Sequence, residues 1–272
     1  MEKLKLAILD LYDGTPNQGM RCIKEIVNQF SGDIVWKVFD TRGNAEIPDL
    51  EEYDIFIGTG GPGSPYDGDG IWDTAYFDLM QKIWEHNQQT VDQPKFMLFI
   101  CHSFQMACRH FKVAEVTRRK SKSFGTFPVH KTEFGKREWI FETLPNPFWI
   151  ADFRDWQVVK PDYARLAELG AKILLREKIR PTVPLERAIM GIRFSNEMFG
   201  TQFHPEADPE GMLVHFQDDK QRQLIEDEHG VEKYAEMIND LEDAQRIPLT
   251  HTTIIPLFLR NAVETLQKAE LV

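Results

Sequence analysis

The chain has 272 residues, a formal net charge of −11, and a composition of 42% hydrophobic and 28% charged residues. That length suits one large α/β domain or two small ones, and the composition is globular, not disordered. The acidic balance argues against a broad nucleic-acid surface or attraction to an anionic membrane, and no apolar run approaches the ~18 residues that span a bilayer. Cys22, Cys101 and Cys108 are too few and too scattered for a disulfide framework, which points to reduced thiols. The first six residues run straight into a strand pattern, with neither the apolar stretch nor the cleavage site of a secretory signal. A soluble, cytoplasmic protein is expected.

Residues 4–9 predict a first strand, followed by a polar loop over 10–17. Between 20 and 30, Cys22, Ile23, Ile26, Val27 and Phe30 recur at helical spacing. Ser31, Gly32 and Asp33 break that helix, and strands are predicted at 34–39 and 54–58. This alternation indicates a parallel sheet covered by helices. The third strand empties into Thr59-Gly60-Gly61-Pro62-Gly63-Ser64, whose glycines permit positive φ and close backbone approach. Such a loop can present N–H donors as an oxyanion hole or anion nest. No Gly-Lys-Ser/Thr closes it as a phosphate loop, and no glutamate follows at EF-hand spacing. Residues 72–84 predict a helix with Leu79, Ile83 and Trp84 on its inner face.

Residues 96–100, Phe-Met-Leu-Phe-Ile, are an unbroken apolar run after Pro94, the mark of a strand buried on both faces. The run stops at Cys101, and helical spacing resumes over 103–111. A cysteine at a sharp strand-to-helix corner has the layout of a nucleophile elbow. The unpaired N–H groups of the helix start favour negative charge there. The plain alternative is a small buried residue, as most lone cysteines are. The basic run 117–122 is expected to be a solvated loop without a ligand. Strands are predicted at 124–130 and 148–153, around an excursion containing Pro145 and Pro147, then at 172–176, 188–194 and 198–203. The last ends in His204-Pro205-Glu206. Beyond Pro209 the composition shifts, with charged helical patterning over 217–245 and a final helix over 254–271. The expected organisation is one domain over 1–210, with a helical extension over 211–272 packed on it.

A cysteine nucleophile needs a base within hydrogen-bond reach and a group that orients the base. His204 and Cys101 both terminate strand-like runs, which places them at the carboxyl edge of one sheet, where open α/β folds carry their sites. His204 and Glu206 are two apart in an extended segment, so their side chains can point the same way, and Pro205 keeps the pair from turning helical. A lone histidine is more often structural; the joint pattern is far more specific. The remaining histidine side chains, those of His102, His130 and His215 among them, are read as structural or surface groups. No cluster has metal-ligand spacing, so neither metal nor cofactor is expected.

Gly60-Gly61-Pro62-Gly63-Ser64, Ile100-Cys101-His102-Ser103-Phe104-Gln105 and Gln202-Phe203-His204-Pro205-Glu206 together resemble the class I (triad-type) glutamine amidotransferases, in order and spacing as well as in motif. The similarity is greatest to the amidotransferase portion of GMP synthase and its stand-alone relatives, and covers about residues 4–210. It implies a three-layer α/β/α, flavodoxin-like, open and mostly parallel sheet. It also implies Cys101 as nucleophile, His204 as general base and then acid, and Glu206 as the orienting carboxylate. The N–H groups of Gly61 and His102 would form the oxyanion hole, with Gly60 and Gln105 near the substrate. The substrate implied is glutamine or a γ-glutamyl compound, with ammonia released through a thioester and passed, in one version, to a separate synthetase partner. The alternatives are a γ-glutamyl peptidase, another cysteine hydrolase, or an inactive binding protein of the same fold.

Two departures stand out. The elbow of the family usually reads Gly-x-Cys-x-Gly, whereas here the flanks are Phe99 and Ser103, and the phenylalanine predicts a crowded corner or a reshaped pocket. Phe153-Arg154-Asp155-Trp156 stands where relatives carry a Ser-His or Cys-His pair ahead of an aspartate.

Overall fold

The computed structural model describes residues 2–90, 92–180 and 185–269. Strands β1 (Leu4–Leu9), β2 (Ile34–Phe39), β3 (Ile55–Gly58) and β4 (Phe96–Ile100) form on the short apolar runs. They are followed by β5 (Ala114–Lys131), β6 (Phe148–Pro161), β7 (Lys172–Glu177), β8 (Ile189–Arg193) and β9 (Met198–Thr201). Among the described residues all nine join one sheet, in the order β2-β1-β3-β4-β9-β8-β6-β5-β7. The first five are mutually parallel, and every pairing from β9 onward is antiparallel. The sheet is therefore mixed, not mostly parallel as expected. Because β7 also pairs with β8, strands β8, β6, β5 and β7 close into a ring.

The helices are α1 (Gln18–Asn28), α2 (Thr41–Asn44), α3 (Trp72–Gln89), α4 (His102–His110), α5 (Tyr163–Leu169), α6 (Pro209–Gln217), α7 (Asp219–His229), α8 (Val231–Glu242) and α9 (Ile247–Ala269). Side-chain alternation along the strands divides the core. Leu6, Ile8, Leu98 and Ile100 pack against Ile23 and Ile26 of α1 and Ile255 and Phe258 of α9. Ala7, Leu9, Met97 and Phe99 pack against Tyr76 and Leu79 of α3 and Phe104 of α4. A third cluster joins Phe124 and Phe127 of β5 to Met212, Phe216, Ile225, Met237 and Leu241 of α6, α7 and α8.

Four further expectations need correction. The basic run 117–122 lies inside β5, where the guanidinium of Arg119 pairs with Glu177 at 3.1 Å and is almost wholly buried. Charged side chains that turn inward to partners leave no apolar alternation to read. The final helix begins at Ile247, seven residues before the expected start, and carries Pro256 within it. Its first turns bury Thr250 and Thr253, whose hydroxyls bond the carbonyls of Trp149 and Leu249, so polar residues on the inner face mask the periodicity. The expected end of that helix at 271 lies outside the described residues. The strand over 198–203 ends at Thr201, and the one over 148–153 continues to Pro161.

Candidate active site

Strand β4 pairs in parallel with β3 and β9, setting Phe99 opposite Gly58 on one side and Gly200 on the other. A Cβ on Gly58 would meet Tyr76 and Ser103 and one on Gly200 would meet Phe104 and Phe194, so the space those glycines leave is filled by side chains other than the Phe99 ring. That ring packs edge-to-face on Phe194 in the core and lines neither cavity beside Cys101. The expected crowding at the corner does not occur, because the ring is turned into the opposite face of the sheet.

Cys101 follows at φ 49° and ψ −97°, a conformation non-glycine residues adopt at a cost of about 1–3 kcal/mol. The corner is braced from several directions. The Cys101 N–H donates to the Thr201 carbonyl at 2.8 Å, extending the β4–β9 ladder. The Ser103 hydroxyl accepts from the Ile100 N–H and donates to the Gly58 carbonyl, both at 2.7 Å. Serine in the place of the usual glycine is thus part of the turn.

Strand β9 delivers the second component. After Thr201 the chain bends through Gln202 and Phe203 and turns at Pro205 and Glu206, not extended as expected, held by Gln202 N–H to the Met190 carbonyl and His204 N–H to the Ala151 carbonyl, each at 3.0 Å. The imidazole of His204 is held by a carboxylate. Nδ1 lies 2.7 Å from Glu206 Oε1, and the ring shares a cavity wall with Cys101, whose thiol points to the Phe153 carbonyl at 3.8 Å. Burial opposes a charged imidazole here, but the Glu206 carboxylate and then the Cys101 sulfur outweigh it, holding the pKa well above the ordinary histidine value. Glu206 is fully buried, and its backbone carbonyl accepts from Nδ1 of His251, on α9, at 2.9 Å.

The glycine loop meets this pair from below. A Cβ on Gly60 would lie 2.8 Å from Cε1 of His204, so Gly60 is the floor on which the imidazole rests, and it lines neither cavity. Gly61 does line both, and a Cβ there would strike the Leu11 carbonyl. His102 opens α4, so its N–H has no acceptor within the helix and stands at the cavity wall beside Cys101. Burial drives the imidazole of His102 down to a pKa of about 3, aided by Arg42 and Arg109. The ring's Nε2 is buried without a hydrogen-bond partner among the described residues, in keeping with a neutral imidazole beside the glycine loop.

Two cavities meet at Cys101. One, of about 240 Å³, is lined by His102, Gln105, Arg154 and Asp155; the other, of about 380 Å³, by His204, Tyr12, Met212 and Gln221. Phe153 and Lys122 form part of both walls. The Phe153 ring leans on His204 with centroids 5.8 Å apart, while Arg154 points away into a buried ion network with Asp152 and Glu177.

Sequence reasoning assigned no role to Gln202, Tyr12 or Lys122. Gln202 links Gln105, whose Nε2 donates to its Oε1 at 3.3 Å, to the sulfur of Cys101, 3.8 Å from its Nε2. Its signal was present, since it stands two residues before His204 in the same motif. Tyr12 lies against Gly60 and Gly19, and burial followed by the charge of Glu206 keeps its phenol protonated. Nothing in its polar loop pointed there. Lys122 sits where β5 slips register against β6, between Arg118 and Ser123, a break of the kind that often re-aims side chains beside sites.

A thiol at a strand-to-helix corner thus shares one cavity with an imidazole bonded to a buried carboxylate, on an α/β scaffold. Residues 7–220 match the family described as Glutamine amidotransferase class-I, and the chain belongs to that family. The match runs past 210, where the expected extension begins. The search of curated proteins finds no match. Among solved structures, SMU.1228c is similar over 95% of this chain and 99% of its own, with 17% identity and a TM-score of 0.70. A glutamine amidotransferase from Thermotoga maritima is similar over 97% and 100%, with 17% identity and a TM-score of 0.64. A protein named for GMP synthase, from Thermoplasma acidophilum, is similar over 86% and 99%, with 18% identity and a TM-score of 0.50. At these identities the likeness is one of fold.

Proposed function

We propose that this chain hydrolyses the side-chain amide of glutamine through a thioester on Cys101, and that the ammonia is released for use by a separate synthetase. The observation that carries this reading is the imidazole of His204, bonded to the buried Glu206 carboxylate and lining one cavity with Cys101. The family supports glutamine as the amide cleaved. The parallel half of the sheet, with α1 and α9 on one face and α3 and α4 on the other, serves as a three-layer, flavodoxin-like unit presenting the site at its carboxyl edge.

The sulfur of Cys101 attacks the amide carbon after its proton passes to His204. The carbonyl oxygen turns toward the N–H groups of Gly61 and His102, where one lost donor costs about 3 kcal/mol. His204 returns the proton to the departing nitrogen, the C–N bond breaks and ammonia leaves. A water deprotonated by the same histidine then cleaves the thioester, giving glutamate and the free thiol. A cytoplasmic location fits three free cysteines, and among the described residues no helix is long and apolar enough to cross a membrane.

Ammonia release from glutamine is the test. The wild-type chain should produce it, and Cys101→Ala and His204→Ala should reduce it to background while both variants remain folded by circular dichroism. Activity that survives Cys101→Ala refutes the mechanism.

A further inference from the structure

Met190, Asp152, Phe127 and Glu177, one from each strand of the closed ring β8-β6-β5-β7, border a cavity of about 60 Å³ that Cys101 does not line. His229, at the end of α7, closes one side with its ring against Phe127. The space is several times the ~10–15 Å³ that a single water needs, so it holds a small polyatomic group.

The chain as a whole carries a charge of −11, yet this cavity gathers cations from two segments. Arg119 and Lys122 come from β5, where the register passes from Arg118 opposite Trp156 to Ser123 opposite Arg154, so residues 119–122 bulge out of the ladder. Lys178 and Arg180 follow the end of β7. The basic run expected to lack a ligand thus supplies half of these cations.

The carboxylates on the wall are already engaged. Asp152 accepts from Arg154 through both oxygens and from the Ser123 hydroxyl. Glu177 takes Arg119 and Arg154 on Oε1 and Arg180 on Oε2. Lys122 and Lys178 have no carboxylate partner among the described residues; their ammonium groups lie over the rings of Phe124 and Phe127, at 5.7 and 4.6 Å. Three guanidinium and two ammonium groups therefore face two carboxylates, an excess of three positive charges. Burial, then Arg180 and Lys233, lowers the pKa of Lys178, and burial, then Arg154, lowers that of Arg119. An anion in the cavity would relieve that repulsion.

We propose that this cavity binds a phosphoryl group, as the free ion or on a small phosphomonoester. A phosphoryl dianion offers oxygen acceptors in several directions, matching ammonium and guanidinium donors that converge from β5 and β7. A carboxylate, planar and singly charged, would leave most of them unmet. Binding uses no step of the proposed amide chemistry, so the two readings stand or fall separately.

Isothermal titration calorimetry of the full chain tests this with inorganic phosphate and with phenyl phosphate, each against a chloride background of fixed ionic strength. One site with a dissociation constant of about 1 mM or tighter is expected. Lys178→Met and Arg180→Gln should each weaken binding about tenfold, the factor that one charge-assisted hydrogen bond carries. Lys120→Met, at an exposed position outside the cavity, should leave it unchanged. Whichever probe binds more tightly identifies the source, free phosphate or ester, and either supports the inference. Binding of both probes weaker than about 1 mM overturns it. So does binding that is indifferent to the cavity variants that remain folded by circular dichroism, or that Lys120→Met weakens as much as they do.

Discussion

His204 and His102 are pushed in opposite directions by the same fold. The His204 pKa is raised by Glu206 and Cys101 against the effect of burial. Its contribution to stability is therefore complete below the unfolded value of ~6.5 and is lost as pH rises through the folded one. Glu206→Gln removes the largest favourable charge, so the His204 ring signal in NMR titration should lose its proton at a lower pH than in the wild type. The same variant should lower kcat for glutamine by about 10²–10⁴, the scale seen when the orienting carboxylate of a triad is neutralised. For His102 the sign reverses. Burial depresses its pKa to about 3, so the stability it contributes is present above ~6.5 and is lost as pH falls toward the folded value. Between pH 6 and 5 the wild type should lose about 1 kcal/mol more than His102→Gln in urea unfolding. Equal slopes would mean that His102 is not buried neutral. Cys101, His204 and Glu206 could be picked from the sequence because each lies in a short stretch whose chemistry is hard to read otherwise. Tyr12 and Lys122 could not, since a tyrosine in a polar loop and a lysine in a basic run are ordinary surface signals.

The elbow between β4 and α4 depends on its partners as much as on its own residues. Ser103 is fully buried and ties Ile100 to Gly58 across the β3–β4 pair. Ser103→Ala leaves a buried N–H and a buried carbonyl without their shared hydroxyl, and denaturant unfolding should show a loss of about 1–3 kcal/mol. A loss below half of the lower figure would mean that the turn holds itself. The strand and helix of the elbow were readable because an apolar run and a 3.6-residue period adjoin with nothing between. The phenylalanine at 99 was misleading, because its ring is taken up in the core against Phe194, a residue distant in sequence that only the folded sheet brings alongside. Strand β5 was half-hidden for a related reason, since Arg119 finds its carboxylate on β7.

Across the whole molecule, the helices after 208 belong to the site. Met212 and Gln221 form part of one cavity wall, His251 bonds the carbonyl of Glu206, and Met237 is buried in the cluster over β5 and lies against Gly125. Met237→Ala should cost about 2–5 kcal/mol and lower the midpoint of a single unfolding transition followed by tryptophan fluorescence. A separate early transition, with the main one unmoved, would instead mark these helices as an independent unit. The charged patterning announced helices there, but sequence could not place them over the cavity, because that position follows from a core assembled out of β5, β6 and four helices. The central claim remains the activation of one thiol among three. Burial raises the pKa of Cys22 and of Cys108, while Cys101 stands at the elbow beside an imidazole whose proton the Glu206 carboxylate holds. Mass spectrometry after treatment with a diazo-ketone analogue of norleucine measures this directly. The account predicts one adduct per chain, on Cys101, lost in His204→Ala; adducts spread equally over Cys22, Cys101 and Cys108, or labelling indifferent to His204, would contradict it.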